Sequence, residues 1–307
     1  MNSILDLIGK TPIVEIKKLN PNHNVKIFAK LEGYNPTGSI KDRIALAMIE
    51  AAEKSGKLTS GKTIIEPTSG NTGIAVAMAA AVKGYNCIIV MPSNMSVERR
   101  KMIKAFGAKL ILVKPEEWRD AAIKKVKAMS AEDKNLVLLN QFENEENCRA
   151  HYRTTGREIL EQINQKIDYL ILGLGTGGTI TGIGRRLREK YPEVKIIAVQ
   201  PAPGEKIEGL KSLKDGYIPP VVANSLPCGD HSKSLIDAII DVSAADAFQT
   251  ARDLAKMEGL FVGASSGAAM FMAQNYAKKI PQGVIVTIFP DRGEKYLSTE
   301  MFDNAAD

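Results

Sequence analysis

Short apolar runs alternate with longer amphipathic stretches along almost the whole chain, and glycine or asparagine marks nearly every junction. That alternation limits the possible folds more than any other feature. Residues 25–31, 63–66, 87–91, 109–113, 136–139, 169–173, 196–200 and 284–289 read as strands. Helical spacing covers 40–55, 72–83, 96–106, 117–129, 149–162, 179–190 and 244–258. Strand–helix repetition of this kind implies the α/β class, a twisted and mostly parallel sheet flanked by helices. No fixed-period repeat or low-complexity linker interrupts it, and 201–230, rich in Pro and Gly, is the longest irregular stretch. At 307 residues there is room for two lobes, with a boundary expected near 141–147 and chemistry expected in the cleft between them.

Composition narrows the partners. There are 41 basic and 35 acidic side chains, a formal charge of +6, but the basic residues are interleaved with acids, as in Glu98-Arg99-Arg100 and Arg188-Glu189. Such runs are solvated helix faces, so no nucleic-acid partner is expected, while small anions remain compatible with the mild positive field. Cys87, Cys148 and Cys228 are odd in number and far apart, which argues against a disulfide framework and for a reducing, cytoplasmic compartment. The first ten residues lack a basic segment and carry Asp6 inside a short apolar stretch, unlike a signal peptide. No apolar run reaches the roughly 18 residues that cross a bilayer, so no membrane partner is expected. His23, His151 and His231 are scattered without metal-ligand spacing, and no metal is expected.

Three strand-to-helix turns carry the chemistry. In the first, Gly173, Gly175, Thr176, Gly177, Gly178 and Thr179 follow an apolar run and open a helix. Glycines admit close backbone approach, and free N–H groups at a helix start bind anions, so a phosphate is the natural guest. Gly173, Gly175 and Gly178 also match the dinucleotide fingerprint, but the next strand ends in Val199-Gln200-Pro201, where a ribose-binding acid would be required. In the second, Thr68, Ser69, Gly70, Asn71, Thr72 and Gly73 place hydroxyls, an amide and glycine backbone at a helix start, suited to a carboxylate or a ring hydroxyl.

The third turn is Asn35-Pro36-Thr37-Gly38-Ser39-Ile40-Lys41-Asp42-Arg43. Ser39 and Asp42 have capping-box spacing, which puts Lys41 in the first helical turn. A cation there meets the positive end of the helix dipole, and the neutral amine is favoured. A candidate amine nucleophile, a phosphate cradle and a carboxylate-binding turn in one chain point to a Schiff base between Lys41 and pyridoxal 5'-phosphate.

Taken together, these segments resemble the cysteine synthase and cystathionine β-synthase family of fold-type II pyridoxal-phosphate enzymes. The likeness also rests on Gly9-Lys10-Thr11-Pro12, Lys30-Leu31-Glu32, Asn140-Gln141-Phe142, Ser265-Ser266-Gly267 and Pro290-Asp291-Arg292-Gly293-Glu294-Lys295, and spans nearly the whole chain in family order. The resemblance implies a tryptophan synthase β-like fold, with 37–145 as a smaller mobile lobe and 1–36 with 146–307 as the cofactor-binding lobe. It makes Lys41 the Schiff-base lysine and proton shuttle. Asn71 would meet the cofactor's ring hydroxyl, and Gly175, Thr176, Gly177, Gly178 and Thr179 its phosphate. Ser265 would face the pyridine nitrogen, with Ser266 as the neighbouring candidate. Thr68, Ser69, Gly70, Thr72 and Gln141 would hold the substrate carboxylate.

The implied reaction is β-replacement on an activated L-serine, O-acetylserine or O-phosphoserine, through an α-aminoacrylate to which sulfide or another thiol adds. A hydroxyl rather than a carboxylate at the ring nitrogen suits β-elimination better than transamination. Gly33 and the 95–100 segment resemble the B-type isozyme, which takes bulkier nucleophiles. Lys211 or Lys214 would attract a phosphate leaving group if the donor is O-phosphoserine, and Asp215 or Asp230 would activate water if the enzyme releases sulfide from cysteine. A cysteine β-lyase, a cystathionine β-synthase-like activity, a serine dehydratase and a non-catalytic homologue are the alternatives. A homodimer is implied by resemblance alone.

Overall fold

The computed structural model describes residues 2–115, 120–215, 218–223 and 235–303. In chain order the strands are β1 (Ile13–Ile16), β2 (Val25–Leu31), β3 (Thr63–Pro67), β4 (Asn86–Pro92), β5 (Lys109–Val113), β6 (Leu136–Leu138), β7 (Tyr169–Gly173), β8 (Lys195–Pro201), β9 (Ala238–Val242) and β10 (Gly283–Phe289). The helices are α1 (Lys41–Lys54), α2 (Asn71–Lys83), α3 (Val97–Ala105), α4 (Asp120–Glu132), α5 (Glu146–Arg153), α6 (Thr155–Gln162), α7 (Gly178–Lys190), α8 (Pro220–Ala223), α9 (Ala244–Asp253), α10 (Ala264–Ala277) and α11 (Glu300–Asp303). They group into two compact units, the first Met1–Ile8 with Asn35–Asn147 and the second Gly9–Tyr34 with Cys148–Asp307.

The first unit holds a parallel sheet in the order β5-β4-β3-β6. Ile64, Ile65, Ile89 and Val90 are buried on both faces, as strands covered by helices on each side must be. Ile65 and Val90 pack with Ala122 and Val126 of α4, and truncating such a buried isoleucine costs about 2–5 kcal/mol. The alanine-rich α2 is buried from Thr72 to Ala80 and ends at Gly84 in the left-handed region, a helix stop that glycine makes without strain. From β3 the chain steps outward to β4 and β5, and β6 then returns to the other edge of β3. The carboxyl ends of β3 and β6 are therefore a switch point, where open α/β sheets bind ligands.

The second unit holds a sheet in the order β1-β2-β10-β7-β8-β9, parallel apart from β1. Its switch point lies between β7 and β10. A Cβ placed on Gly267 of α10 would collide with the Ala247 carbonyl oxygen, so α9 and α10 pack backbone to backbone.

Several elements depart from the sequence-based expectation. β1 and β9 were not expected as strands, and the helix expected over 149–162 is two, α5 and α6, meeting at Thr154. The helix expected over 244–258 is α-helical to Asp253 and closes in a π-helical turn, Leu254–Glu258, before Gly259. Of 117–129, residues 117–119 lie outside the described residues, and the helix runs on to Glu132.

Candidate functional site

In the first unit the 68–73 turn leaves the carboxyl end of β3 and opens α2, whose N-cap Gly70 provides no side-chain cap. N–H groups at such a helix start are available to an anion. Thr68, Thr72 and Gln141 are buried, Gly70 and Asn71 half-buried and Ser69 exposed. Thr72 Oγ1 donates to Gln141 Oε1 at 2.7 Å, so two predicted carboxylate-binding residues meet at the switch point although 69 positions separate them in sequence.

Lys41 is the first residue of α1 and half-buried, its backbone N–H directed at Ser39 Oγ at 3.3 Å. The pairing expected between Ser39 and Asp42 is made instead by Thr37. Its N–H donates to Asp42 Oδ2 at 2.7 Å and its hydroxyl donates to Asp42 Oδ1. This buried carboxylate in the first turn suits the helix dipole and fixes the approach to Lys41.

Sequence reasoning missed Glu66. It lies fully buried near the end of β3, where Oε2 accepts the Asn140 N–H at 2.8 Å and Oε1 the Gln141 N–H at 3.1 Å. Burial pushes its carboxyl up to about 7, against the opposing pull of those two N–H groups. A lone acid between Ile64-Ile65 and Pro67 was the available signal, since a charged residue in a buried strand needs partners. Burial first, and then the nearby Glu66 charge, push the Cys87 thiol up to about 12. Cys87 and Cys148 are buried and outside any disulfide, and Cys228 lies outside the described residues.

In the second unit the glycine turn follows β7. Leu174 is clamped by backbone on both sides, its N–H bonding Val199 O and its O accepting from Lys211 N, both at 2.7 Å. A Cβ at Gly175 would lie 2.7 Å from the Gly209 carbonyl oxygen, a backbone atom that cannot turn aside. Gly177, at φ +88, is the N-cap of α7 and provides no side-chain cap. Thr176 is buried, and Thr179 Oγ1 is 3.2 Å from His151 Nε2, whose ring meets Thr155 Oγ1 through Nδ1 at 3.0 Å. His151, another residue missed by sequence reasoning, thus ties the glycine turn to α5 and α6.

Ser265 stands in the first turn of α10, and a Cβ built on Gly209 would be 3.6 Å from its Oγ. Gly175, Gly209 and Ser265 therefore lie together, while Ser266 is wholly buried with its hydroxyl unpaired. Lys214 pairs with Asp241 at 2.6 Å; the Asp215 side chain, Asp230 and His231 lie outside the description. Among the described residues no cluster of His, Cys, Asp or Glu could hold a metal ion, and no helix is long and apolar enough to cross a membrane.

In the second unit, an uncapped helix start behind glycines that exclude side chains fits a phosphate group. Residues 4–291 match the model of the pyridoxal-phosphate dependent enzyme family, and the chain belongs to that family. Within it, the chain is 45% identical over 302 residues to cysteine synthase B of Salmonella typhimurium, covering 98% of this chain and 96% of the relative. Among solved structures it is similar to O-ureido-L-serine synthase, with TM-score 0.92 and 38% identity over 100% of this chain and 96% of the other. It is similar also to a hydrogen sulfide-producing enzyme from Fusobacterium nucleatum, with TM-score 0.89 and 41% identity over 97% of this chain and 100% of the other.

Proposed function

We propose that this protein is a pyridoxal-phosphate-dependent cysteine synthase, replacing the β-substituent of O-acetylserine or O-phosphoserine by sulfide or another thiol to give L-cysteine. The likeness to cysteine synthase B over 98% of the chain carries this reading. When bound, the cofactor supplies an electron sink for the charge left at the substrate Cα. Lys41 would hold the cofactor through its amine and, once displaced by substrate, take the Cα proton. The backbone and hydroxyls of Gly175, Thr176, Gly177, Gly178 and Thr179 would bind the phosphate, supported by the uncapped start of α7. Asn71 would orient the ring through its hydroxyl. Ser265 would face the ring nitrogen and, as a hydroxyl, would not demand the protonation that a carboxylate does.

The 68–72 turn and Gln141 would bind the substrate carboxylate, which the uncapped start of α2 supports. The site would work in a homodimer, a state implied by resemblance, and in the cytoplasm, a compartment compatible with buried thiols outside any disulfide. The likeness to a hydrogen sulfide-producing enzyme favours a second reading, β-elimination from cysteine.

Two experiments test these readings. Borohydride reduction of the yellow holoenzyme followed by peptide mapping should place the pyridoxyl group on Lys41, and Lys41→Ala should lower turnover by at least about 1,000-fold. An adduct elsewhere overturns the assignment. Comparing kcat/KM for O-acetylserine plus sulfide with that for cysteine alone separates synthesis from sulfide release.

A further inference from the structure

We infer that Glu66 is a positioning residue for substrate binding: its buried carboxylate grips the backbone at Asn140 and Gln141 and so aims the Gln141 side chain at Thr72. This rests on the reading that Thr72 and Gln141 hold the substrate carboxylate. The turn needs an external grip. Asn140 sits at φ +55, a left-handed conformation that asparagine tolerates at some cost. The carbonyl of Asn140 accepts from Glu143 N and Asn144 N at 3.0 and 2.9 Å, so the turn closes on itself downstream. Upstream, its two N–H groups face into the sheet and end on Glu66. The Gln141 carbonyl is held by Asn147 Nδ2 at 2.8 Å, and the side chain then reaches Thr72. Backbone and side chain of Gln141 are thus fixed from three directions, and one of them is a titratable acid.

Charge state matters to that grip. The ionised carboxylate accepts both N–H groups; protonation turns one oxygen into an O–H, a weaker acceptor for the N–H it faces. The longer bond, to Gln141 at 3.1 Å, is the one expected to open. What acts on Glu66 is burial and these two N–H groups; among the described residues, no charged side chain of α2, α4, β4 or β6 joins them. Cys87 on β4 is held neutral, Lys83 of α2 pairs with Glu53, and Lys127 of α4 pairs with Glu143. Tightening of the turn therefore follows ionisation of this one group, in the neutral range.

Glu66→Gln in the holoenzyme preserves size but offers a single acceptor oxygen, leaving one buried N–H against an amide N–H₂. An unsatisfied buried donor of this kind should raise KM for the amino-acid donor about tenfold and leave kcat within about threefold. Amide hydrogen exchange at Asn140 and Gln141 should quicken. In the unmutated enzyme the Kd for L-alanine, which has no leaving group at Cβ, should rise as pH falls from 8 to 6 after correction for protonation of the ligand's own amine. That step should be absent in Glu66→Gln and retained in Glu66→Asp. Thr72→Ala and Gln141→Ala serve as references. If both leave KM and the L-alanine Kd unchanged, the carboxylate reading fails. If they raise both while Glu66→Gln matches the unmutated enzyme at every pH, Glu66 has no positioning role. Should Glu66→Gln fail to fold, the L-alanine titration of the unmutated enzyme still decides, a flat profile between pH 6 and 8 being the overturning result.

Discussion

The two switch points solve the same problem with opposite materials. In the first unit the turn after β3 is furnished by side chains: a threonine hydroxyl on a glutamine amide, with a buried acid holding the backbone behind them. In the second unit the turn after β7 is furnished by backbone, and glycine is required because other main chain occupies the place of a side chain. A side-chain site can be loosened by deleting atoms, a backbone site only by adding them. The first arrangement suits a guest that comes and goes, and the second a guest that stays.

Substitution in each turn should therefore have opposite consequences for cofactor and substrate. Gly175→Ala drives a methyl to 2.7 Å from the Gly209 carbonyl oxygen, and the 209–211 backbone must shift. Overpacking of that order costs about 1–3 kcal/mol, so cofactor affinity should fall up to about 100-fold in equilibrium dialysis. Thr72→Ala should leave cofactor affinity within about threefold and raise KM for the amino acid instead. Equal losses of cofactor in both variants would remove the distinction between a resident and a visiting ligand.

A smaller effect separates the two units by pH. Because burial raises the Glu66 carboxyl from 4.5 to about 7, the folded chain holds this proton more tightly than the unfolded chain. Its contribution to stability is complete below pH 4.5 and is lost as pH rises to about 7, at most about 3 kcal/mol. Urea unfolding of the unmutated protein should thus show a lower midpoint at pH 8 than at pH 5, a difference narrowed in Glu66→Gln. The signs are opposed: ionisation costs global stability while it tightens the 140–141 turn. An unfolding midpoint indifferent to Glu66→Gln at both pH values would show that the carboxyl is hydrated.

How much of this could be read beforehand depends on the range of the interactions. Buried strands announce themselves as apolar runs, which is why 25–31 and 169–173 coincide with β2 and β7. β1 is four residues with Glu15 inside and Pro12 before it, too short and mixed to stand out. The break at Thr154, whose hydroxyl donates to Ala150 O at 2.7 Å, is a local back-bond that helical periodicity does not register. The positions of Lys41 in the first turn of α1 and of the glycine turn before α7 were legible because helix starts are marked locally, although Thr37 rather than Ser39 pairs with Asp42. Glu66 was read only as the end of a strand, because its partners lie 74 and 75 residues away and nothing in its neighbours names them.

In the second unit an exposed ion pair carries little weight. There Lys214, a sequence-based candidate for attracting a phosphate leaving group, spends its amine on Asp241 at 2.6 Å. The Lys214 bond, then that of Gln200, hold the Asp241 carboxyl below its usual range, and Gln200 Oε1 also receives the Leu213 N–H at 2.9 Å. The segment is thus tethered twice, and the Lys214 side chain is 60% exposed, where an ion pair is worth about 0–1 kcal/mol. Lys214→Ala should therefore shift stability by less than about 1 kcal/mol, and the ratio of kcat/KM for O-phosphoserine to that for O-acetylserine should stay within about twofold. A selective tenfold loss with O-phosphoserine would mean that the amine leaves Asp241 for the phosphate, making a side chain of the second unit part of the substrate site.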